Sequence, residues 1–90
     1  MPVSIVGAQA ANELLNIIGV RASIVLTEYN GKIYVSARSI DEVNVQVIME
    51  RMGGGGHLNV AGAQLQCSLE EAMRQVRQTL DQMFEEGELE

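Results

Sequence analysis

The 90-residue sequence has few of the residues that disulfides, aromatic cores and metal sites require. It contains two Tyr, one Phe and no Trp, so its core has to be aliphatic, with five Met residues as adaptable filler. A single cysteine, Cys67, excludes an internal disulfide and is typical of a reducing cytoplasm. One His and scattered carboxylates do not supply the three or more ligands of a catalytic metal centre. The chain alone is therefore expected to hold no metal.

Long hydrophobic runs and positive charge are also scarce. No apolar run approaches the roughly 20 residues of a transmembrane helix, and no secretory signal opens the chain, which favours a cytoplasmic location. Six Lys and Arg stand against twelve Asp and Glu, giving a formal charge of −6. Proteins that bind long nucleic acids usually carry a basic surface. A nucleotide ligand should therefore be short and held at one local site.

The first half of the chain predicts a helix followed by a β-hairpin. Apolar residues recur with helical spacing over Gln9–Ile18, and Gly19 follows where a helix often ends. Ser23–Tyr29 and Lys32–Ala37 are rich in strand-forming residues. Between them lies Asn30-Gly31, a strong hairpin signal because both residues tolerate positive φ.

The second half predicts a helix, a glycine loop and a strand. Asn44 is a suitable N-cap for a helix that ends at Met52, before the glycine run Gly53–Gly56. A short helical turn is expected over His57–Gly62, followed by a strand over Ala63–Cys67.

A second amphipathic helix ends the chain. Ser68 and Glu71 have the spacing of a capping box, and an apolar face follows: Ala72, Met73, Val76, Leu80 and Met83. Met1-Pro2 and Leu89-Glu90 fit no element, and whether they are native or added residues stays open. The pattern as a whole predicts one α/β domain over residues 1–90, a small mixed β-sheet with helices packed on it.

The glycine run and the single histidine predict an anion site. Four consecutive glycines lose much backbone entropy on folding, and without Cβ atoms their N–H groups can converge on a phosphate. His57 follows directly and is able to donate a charge-assisted hydrogen bond. The alternative is a flexible helix end with a surface His. The run is neither a Walker loop nor a dinucleotide-binding fingerprint.

Arg38 is a candidate second phosphate ligand at the end of the second hairpin strand. Alternation places it on the same face as Ser36, and a guanidinium is suited to bidentate contact with phosphate. Taken alone, Arg38 would more often be a solvated charge. A nucleophile pair of His57 with Ser39 or Cys67 lacks a third, orienting group, and Cys67 is interpreted as packing. No aromatic residue is close to the glycine run in sequence, so base specificity is not readable.

Five segments together resemble the DHH-associated domain, the C-terminal partner of the DHH phosphoesterase domain. They are Ala11–Ile17, Ser36–Ser39, Asn44-Val45, Ile48–Glu50 and Gly53–His57. The flanking residues are most similar to cyclic-di-AMP phosphodiesterases of the GdpP type, over about Ala8–Leu65. Asn59–Gly62 departs from the alanine-rich sequence of many relatives.

The resemblance implies that the chain is the substrate-binding piece of a larger, Mn²⁺-dependent phosphodiesterase that converts cyclic-di-AMP to pApA. A DHH domain of the same protein would hold the two Mn²⁺ ions, so this chain alone would be inactive. By the same resemblance, Gly54, Gly55 and Gly56 would offer N–H groups to a phosphate. His57 would approach the reacting phosphate as the catalytic residue of this domain, and Arg38 with Ser39 would bind a nucleotide phosphate. Such proteins are often anchored in the bacterial inner membrane.

Three alternatives stay open. The same site could serve an oligoribonuclease or a phosphoadenosine-phosphate phosphatase. The domain could instead be a non-catalytic RNA-binding module, if Arg21, Lys32, Arg38 and Arg51 clustered. Self-association through an edge strand or the last helix, giving a homodimer, is compatible with either reading.

Overall fold

The computed structural model describes residues 3–14 and 19–89, which contain three helices and four strands. In chain order these are α1 (Val3–Leu14), β1 (Ala22–Tyr29), β2 (Lys32–Ser39), α2 (Val45–Arg51), β3 (Gly55–His57), β4 (Val60–Leu65) and α3 (Leu69–Glu85). The strands form one sheet in the order β1-β2-β4-β3. The predicted α/β class is confirmed, and every neighbouring pair of strands is antiparallel rather than mixed in direction.

The first hairpin forms where the turn residues predict it. Asn30 and Gly31 have φ values of 54° and 75°, and the flanking residues Tyr29 and Lys32 are paired. A two-residue turn with positive φ at both positions matches the right-handed twist of the strands it joins. The register set there runs without interruption to the pair Ala22–Ser39.

The two predicted helix caps are also present. The Asn44 side chain accepts a hydrogen bond from Val47 N at 3.2 Å, and the Ser68 side chain accepts one from Glu71 N at 3.1 Å. Each satisfies an amide that has no partner within its own helix. The caps begin α2 and α3 at the expected residues.

The core lies on one face of the sheet, beneath α2 and α3. Ile33, Val35 and Ala37 of β2 point to this face and are almost fully buried with Ile48 and Met49 of α2. Ala72 and Met83 of α3 complete the same cluster. Met73, predicted to lie on the apolar face of α3, is instead 54% exposed, because α3 turns only part of that face to the sheet.

Helix α1 covers part of the opposite face, above β1 and β2. Its close approach depends on Gly7, where an added Cβ would lie 2.9 Å from Ser36 Oγ. Ser23 of β1 is buried and donates a hydrogen bond to Ala11 O at 2.8 Å, which ties the helix to the sheet. This packing positions α1 beside β4 and β3 rather than over them.

Helix α1 begins at Val3 rather than at Gln9. The residues from Val3 to Ala8 include β-branched side chains and Gly7, which have modest helix propensity and give no clear start signal. Packing on the sheet overrides that local preference. The predicted continuation of the helix over residues 15–18 lies outside the described residues.

The short helical turn predicted over His57–Gly62 is wrong. The segment forms a second hairpin in which β3 and β4 are joined through Leu58 and Asn59. Strand β4 consequently covers Val60–Leu65 rather than Ala63–Cys67. The pairing of β4 with β2 is a contact between residues distant in sequence, which local patterns do not encode.

Candidate functional site

An open cleft of about 690 Å³ lies on the sheet face over β2, β4 and β3, beside the part that α1 covers. Its size falls in the range of small-molecule sites, roughly 300–1,000 Å³. The side chains and glycines around it include Tyr34, Ser36, Arg38, Gly53, Gly54, Gly55, Gly56, His57, Val60, Gly62 and Gln64. The structure thus brings Arg38, Gly54, Gly55, Gly56 and His57, all predicted from sequence, to one place.

The sheet register sets Arg38 and His57 on the same face. Arg38 pairs with Val60, and Val60 pairs with His57, so the three residues form one row across β2, β4 and β3. Directly opposed residues share a face, and two strand spacings separate the outer Cα atoms by about 10 Å. A guanidinium and an imidazole therefore flank the half-exposed Val60 side chain. An anion lying above Val60 is within reach of both.

The row next to Arg38, Val60 and His57 contains almost no side chains. Ser36, Gly62 and Gly55 are paired across the same three strands. Ser36 is buried against α1, and the other two residues have no side chain. The floor of the cleft is thus bare backbone next to the Arg38–His57 row.

Three of the four glycines in the run are required by the fold. Gly53 has a φ of 84°, which disfavours other residues. A Cβ on Gly54 would overlap Gly62 O and Ala63. Gly56 combines a φ of 146° with a position where a Cβ would lie 2.5 Å from Ala61 Cα.

Gly55 has no such requirement. Its φ lies outside the left-handed region, and a Cβ built on it would meet nothing within 4 Å. Its pairing with Gly62 turns it to the cleft. The fold of the described residues would accept a side chain at this position. That side chain would, however, occupy the space of any ligand lying against the backbone.

The predicted cradle of three free amides is only partly present. Gly54 N donates to Met49 O at 2.8 Å and is not available to a phosphate. The hydrogen bond from Ser39 N to Asn59 O, at 3.0 Å, shows that the main-chain groups of Asn59 point to β2. Along β4, successive residues therefore direct their main-chain groups alternately to β2 and to β3. By that alternation Gly55 turns its main-chain N–H to β4, and Gly56 turns its own to the outer edge of the sheet. Gly55 therefore leaves its face of the backbone open to the cleft, and the main-chain N–H of Gly56 points away from the sheet at its outer edge.

Ser39 does not lie in the cleft with the other predicted residues. Only 5% of it is exposed, and its hydroxyl donates to Val43 O at 2.5 Å and accepts from Asn59 Nδ2 at 2.9 Å. Asn59 Nδ2 also donates to Asp41 O at 3.2 Å. Ser39 thus holds the tip of the β3–β4 hairpin against the end of β2, and a direct phosphate contact finds no support in this geometry.

Arg38 keeps capacity for an anion. Its Nη1 donates to Ala37 O at 2.8 Å, which holds the half-buried side chain near its own strand. A guanidinium has five N–H donors, so this bond leaves others for a phosphate. Arg38, Gly55, Gly56 and His57 all line the cleft.

Tyr34 and Gln64 also line the cleft, and the sequence analysis did not identify them. Tyr34 is distant from the glycine run in sequence but lines the same cleft. Strand alternation from Arg38 points to Tyr34, which is four residues earlier in the same strand. No comparable signal existed for Gln64, because the register of β4 depends on its distant partner β2.

Positive charge is dispersed over the domain rather than gathered. Arg51 pairs with Glu86 and with Glu88, the latter at 3.2 Å, and these partners raise the pKa of its guanidinium. Arg21 lines a second groove of about 870 Å³ between β1 and α3, whereas Arg38 lines the cleft. Of the residues considered for an RNA-binding surface, Arg21, Arg38 and Arg51 therefore do not line one common groove in the described part of the chain.

Two further findings concern residues 3–14 and 19–89. They contain no group of three or more His, Cys, Asp or Glu side chains that could hold a metal ion. Within the same ranges no helix has the length and apolar character needed to cross a membrane.

Comparison with known proteins identifies the family. The DHHA1 domain family matches residues 5–86. The cyclic-di-AMP phosphodiesterase GdpP of Geobacillus thermodenitrificans is 50% identical over 82 residues, which cover 89% of this chain and 12% of that protein. The cyclic-di-AMP phosphodiesterase PdeA of Listeria monocytogenes is 45% identical over 80 residues, with 87% and 12% covered.

A solved structure has a similar fold. The crystal structure of an exopolyphosphatase-related protein from Bacteroides fragilis superimposes with a TM-score of 0.75 and 31% identity, covering 81% of this chain and 22% of that one. The chain spans about 12% of the length of the curated relatives. With the family match extending over residues 5–86, the chain belongs to the DHHA1 domain family and is of the type found in GdpP-like members of the DHH family.

Proposed function

We propose that this domain binds a phosphate of a short nucleotide in the cleft over β2, β4 and β3. In that role it is the substrate-binding part of a phosphodiesterase that hydrolyses cyclic-di-AMP to linear pApA. The names of the relatives from G. thermodenitrificans and L. monocytogenes support the substrate. The arrangement of the cleft supports a phosphate ligand.

The observation that carries the proposal is the unexplained glycine at position 55. Its neighbours in the run are glycines because a Cβ would collide with β4 or because φ is positive. Gly55 has neither constraint, faces the cleft, and lies between His57 and the bare floor at Gly62. A ligand in van der Waals contact with the backbone is the remaining physical reason for a glycine there.

The phosphate would be held from both sides of this bare floor. Arg38 would donate to two phosphate oxygens from β2, as a planar guanidinium does well. His57 would donate from β3. The net charge of −6 does not oppose this, since the contacts are local and the nearby carboxylates of Glu86 and Glu88 are paired with Arg51.

The hydrolysis would be shared with a DHH domain elsewhere in the intact protein. Manganese bound in that domain would activate a water molecule. The water oxygen would bond to phosphorus while one ring P–O3′ bond breaks, and the proton would end on the released 3′ hydroxyl. His57 would contact the reacting phosphate. On this proposal the present chain binds substrate and does not turn it over alone.

The test is the effect of Gly55→Val on the intact protein. The added branches would occupy the space of the phosphate, so KM for cyclic-di-AMP should rise about tenfold or more, a cost of at least ~1.4 kcal/mol in binding. Thermal unfolding should stay within a few degrees of the wild type. Unchanged kcat and KM in a variant of normal stability would reject the phosphate site.

A charge variant provides an independent arm of the same test. Arg38→Ala should weaken substrate binding by a similar factor. Arg77→Ala is the matched control, because Arg77 lines the groove between β1 and α3 and not the cleft. Equal effects of the two substitutions would assign the Arg38 result to net charge rather than to a site.

A further inference from the structure

The cleft has a second end, formed by Tyr34 of β2 and Gln64 of β4. These residues are directly paired in the sheet. Ile33 and Val35 on either side of Tyr34 point into the core, so the Tyr34 side chain points to the cleft face. Tyr34 is half-buried and Gln64 is exposed, so both are accessible from the cleft.

The separation between the two ends suits a nucleotide. Tyr34 and Arg38 are four residues apart on one strand, which is about 13 Å between Cα atoms. Gln64 and Val60 have the same separation on β4. In the row between them Ser36 is covered by α1, and Gly62 and Gly55 have no side chain, so the open part of the row lies over β4 and β3. Side chains reaching inward from both ends leave a bare channel the length of a sugar with its phosphate.

The two ends of the cleft differ chemically in the way that the phosphate and the base of a nucleotide differ. Arg38 and His57 form a cationic, hydrogen-bonding end suited to phosphate. Tyr34 offers an aromatic ring, on which a nucleobase can stack with a gain of about 1–3 kcal/mol. Gln64 offers an amide with both donors and an acceptor, the combination that pairs with the edge of adenine. A polyphosphate chain has no base that could stack on Tyr34 or pair with Gln64.

We infer that Tyr34 and Gln64 form the base subsite of the cleft, which accepts the nucleobase of a nucleotide whose phosphate lies against Gly55. The inference rests on the proposed phosphate site and deepens it. Tyr34 provides the stacking platform and Gln64 contacts the base edge. The ligand class is therefore a nucleoside phosphate rather than a bare phosphoester or polyphosphate.

The experiment compares two ligands that share a phosphate and differ in the base. The intact protein is titrated by calorimetry with adenosine 5′-monophosphate and with ribose 5-phosphate. The wild type should bind the nucleotide about 5- to 150-fold more tightly, as expected for one stacked base. Tyr34→Leu should reduce that ratio towards one, whereas Tyr34→Phe, which keeps the ring, should preserve it.

Gln64→Ala is a second variant that does not depend on tolerance of Tyr34 to change. Since Gln64 is exposed, this variant should fold normally. It should weaken adenosine 5′-monophosphate several-fold and leave ribose 5-phosphate unchanged.

The outcomes separate the two proposals. If both ligands bind equally well to the wild type and the Tyr34 and Gln64 variants change nothing, the base subsite is rejected and the phosphate site stands. If neither ligand binds to the wild type at millimolar concentration, the phosphate site and the base subsite are both rejected.

Discussion

Gly54 and Gly55 are adjacent residues of one type that the fold uses differently. A Cβ on Gly54 would overlap Gly62 O and Ala63, whereas a Cβ on Gly55 would meet nothing within 4 Å. We therefore expect Gly54→Ala to lower the free energy of unfolding by about 1–3 kcal/mol, as overpacking against a fixed backbone does. Gly55→Ala should change it by less than about 0.5 kcal/mol, as at an unconstrained surface position. Urea unfolding of both variants measures the difference.

Each of these two variants is the control for the other, because both add one methyl group within the same glycine run. Equal destabilisation would show that Gly55 is required by the fold. The argument for a ligand at that position would then lose its basis.

At the residue scale, the sequence predicted which side chains lie together where one strand or one run contained the signal. Arg38 and His57 were candidates from strand alternation and from the neighbouring glycines, and both line one cleft; their contact with a phosphate stays a prediction. The hydroxyl of Ser39, also predicted as a ligand, is engaged by Val43 and Asn59, and this contact depends on the hairpin tip. Tyr34 was within reach of the alternation argument, but Gln64 was not.

At the scale of elements, the structures that could be predicted are those with local turn or capping chemistry. Asn30-Gly31, Asn44 and Ser68 each place a boundary within a residue or two. The β3–β4 hairpin has no such signal. Gly55–His57 is a strand because it fits against Val60–Gly62, and four glycines carry no side-chain pattern. The pairing of distant segments was the part that the sequence alone did not reveal.

The first turn of α3 carries an ion pair whose contribution depends on pH. Arg74 donates to Glu71 at 2.5 Å and 2.8 Å, and this hydrogen bonding lowers the pKa of the Glu71 carboxyl to about 2 from its ordinary value of 4.5. A carboxyl with a depressed pKa in the folded state stabilises the fold above its unfolded pKa. That contribution is lost as the pH falls from about 4.5 through about 2.

Glu71→Gln should therefore reduce stability at pH 7 and flatten the fall in stability between pH 4.5 and 2. The effect should be small, because the pair is exposed and screened by water and salt. Glu70→Gln is the matched control, since it removes the same charge from the same helical turn without touching the Arg74 contact. Thermal unfolding over this pH range checks the prediction, and identical pH profiles for the two variants would contradict it.

At the scale of the whole molecule, the distribution of charge limits what the domain can bind. Arg51 and Arg74 are held by Glu86, Glu88 and Glu71. The remaining arginines are divided between the cleft and the groove between β1 and α3. The full sequence has a formal charge of −6, and among the described arginines Arg38 lines the cleft, which therefore has one local cationic end.

This distribution predicts that the protein binds mononucleotides but not long RNA. Affinity for a polyanion comes from many phosphate contacts, and its logarithm falls by about 0.7–0.9 per contact for each tenfold rise in salt. One cationic end supplies one or two such contacts, too few for tRNA to bind at physiological salt against the repulsion of the acidic surface. Filter binding of tRNA at 50 and 150 mM salt measures this, with adenosine 5′-monophosphate titrated under the same conditions as the positive control. Tight tRNA binding that weakens steeply with salt would show a basic surface beyond the cleft, and would favour an RNA-binding module over the substrate-binding domain of a phosphodiesterase.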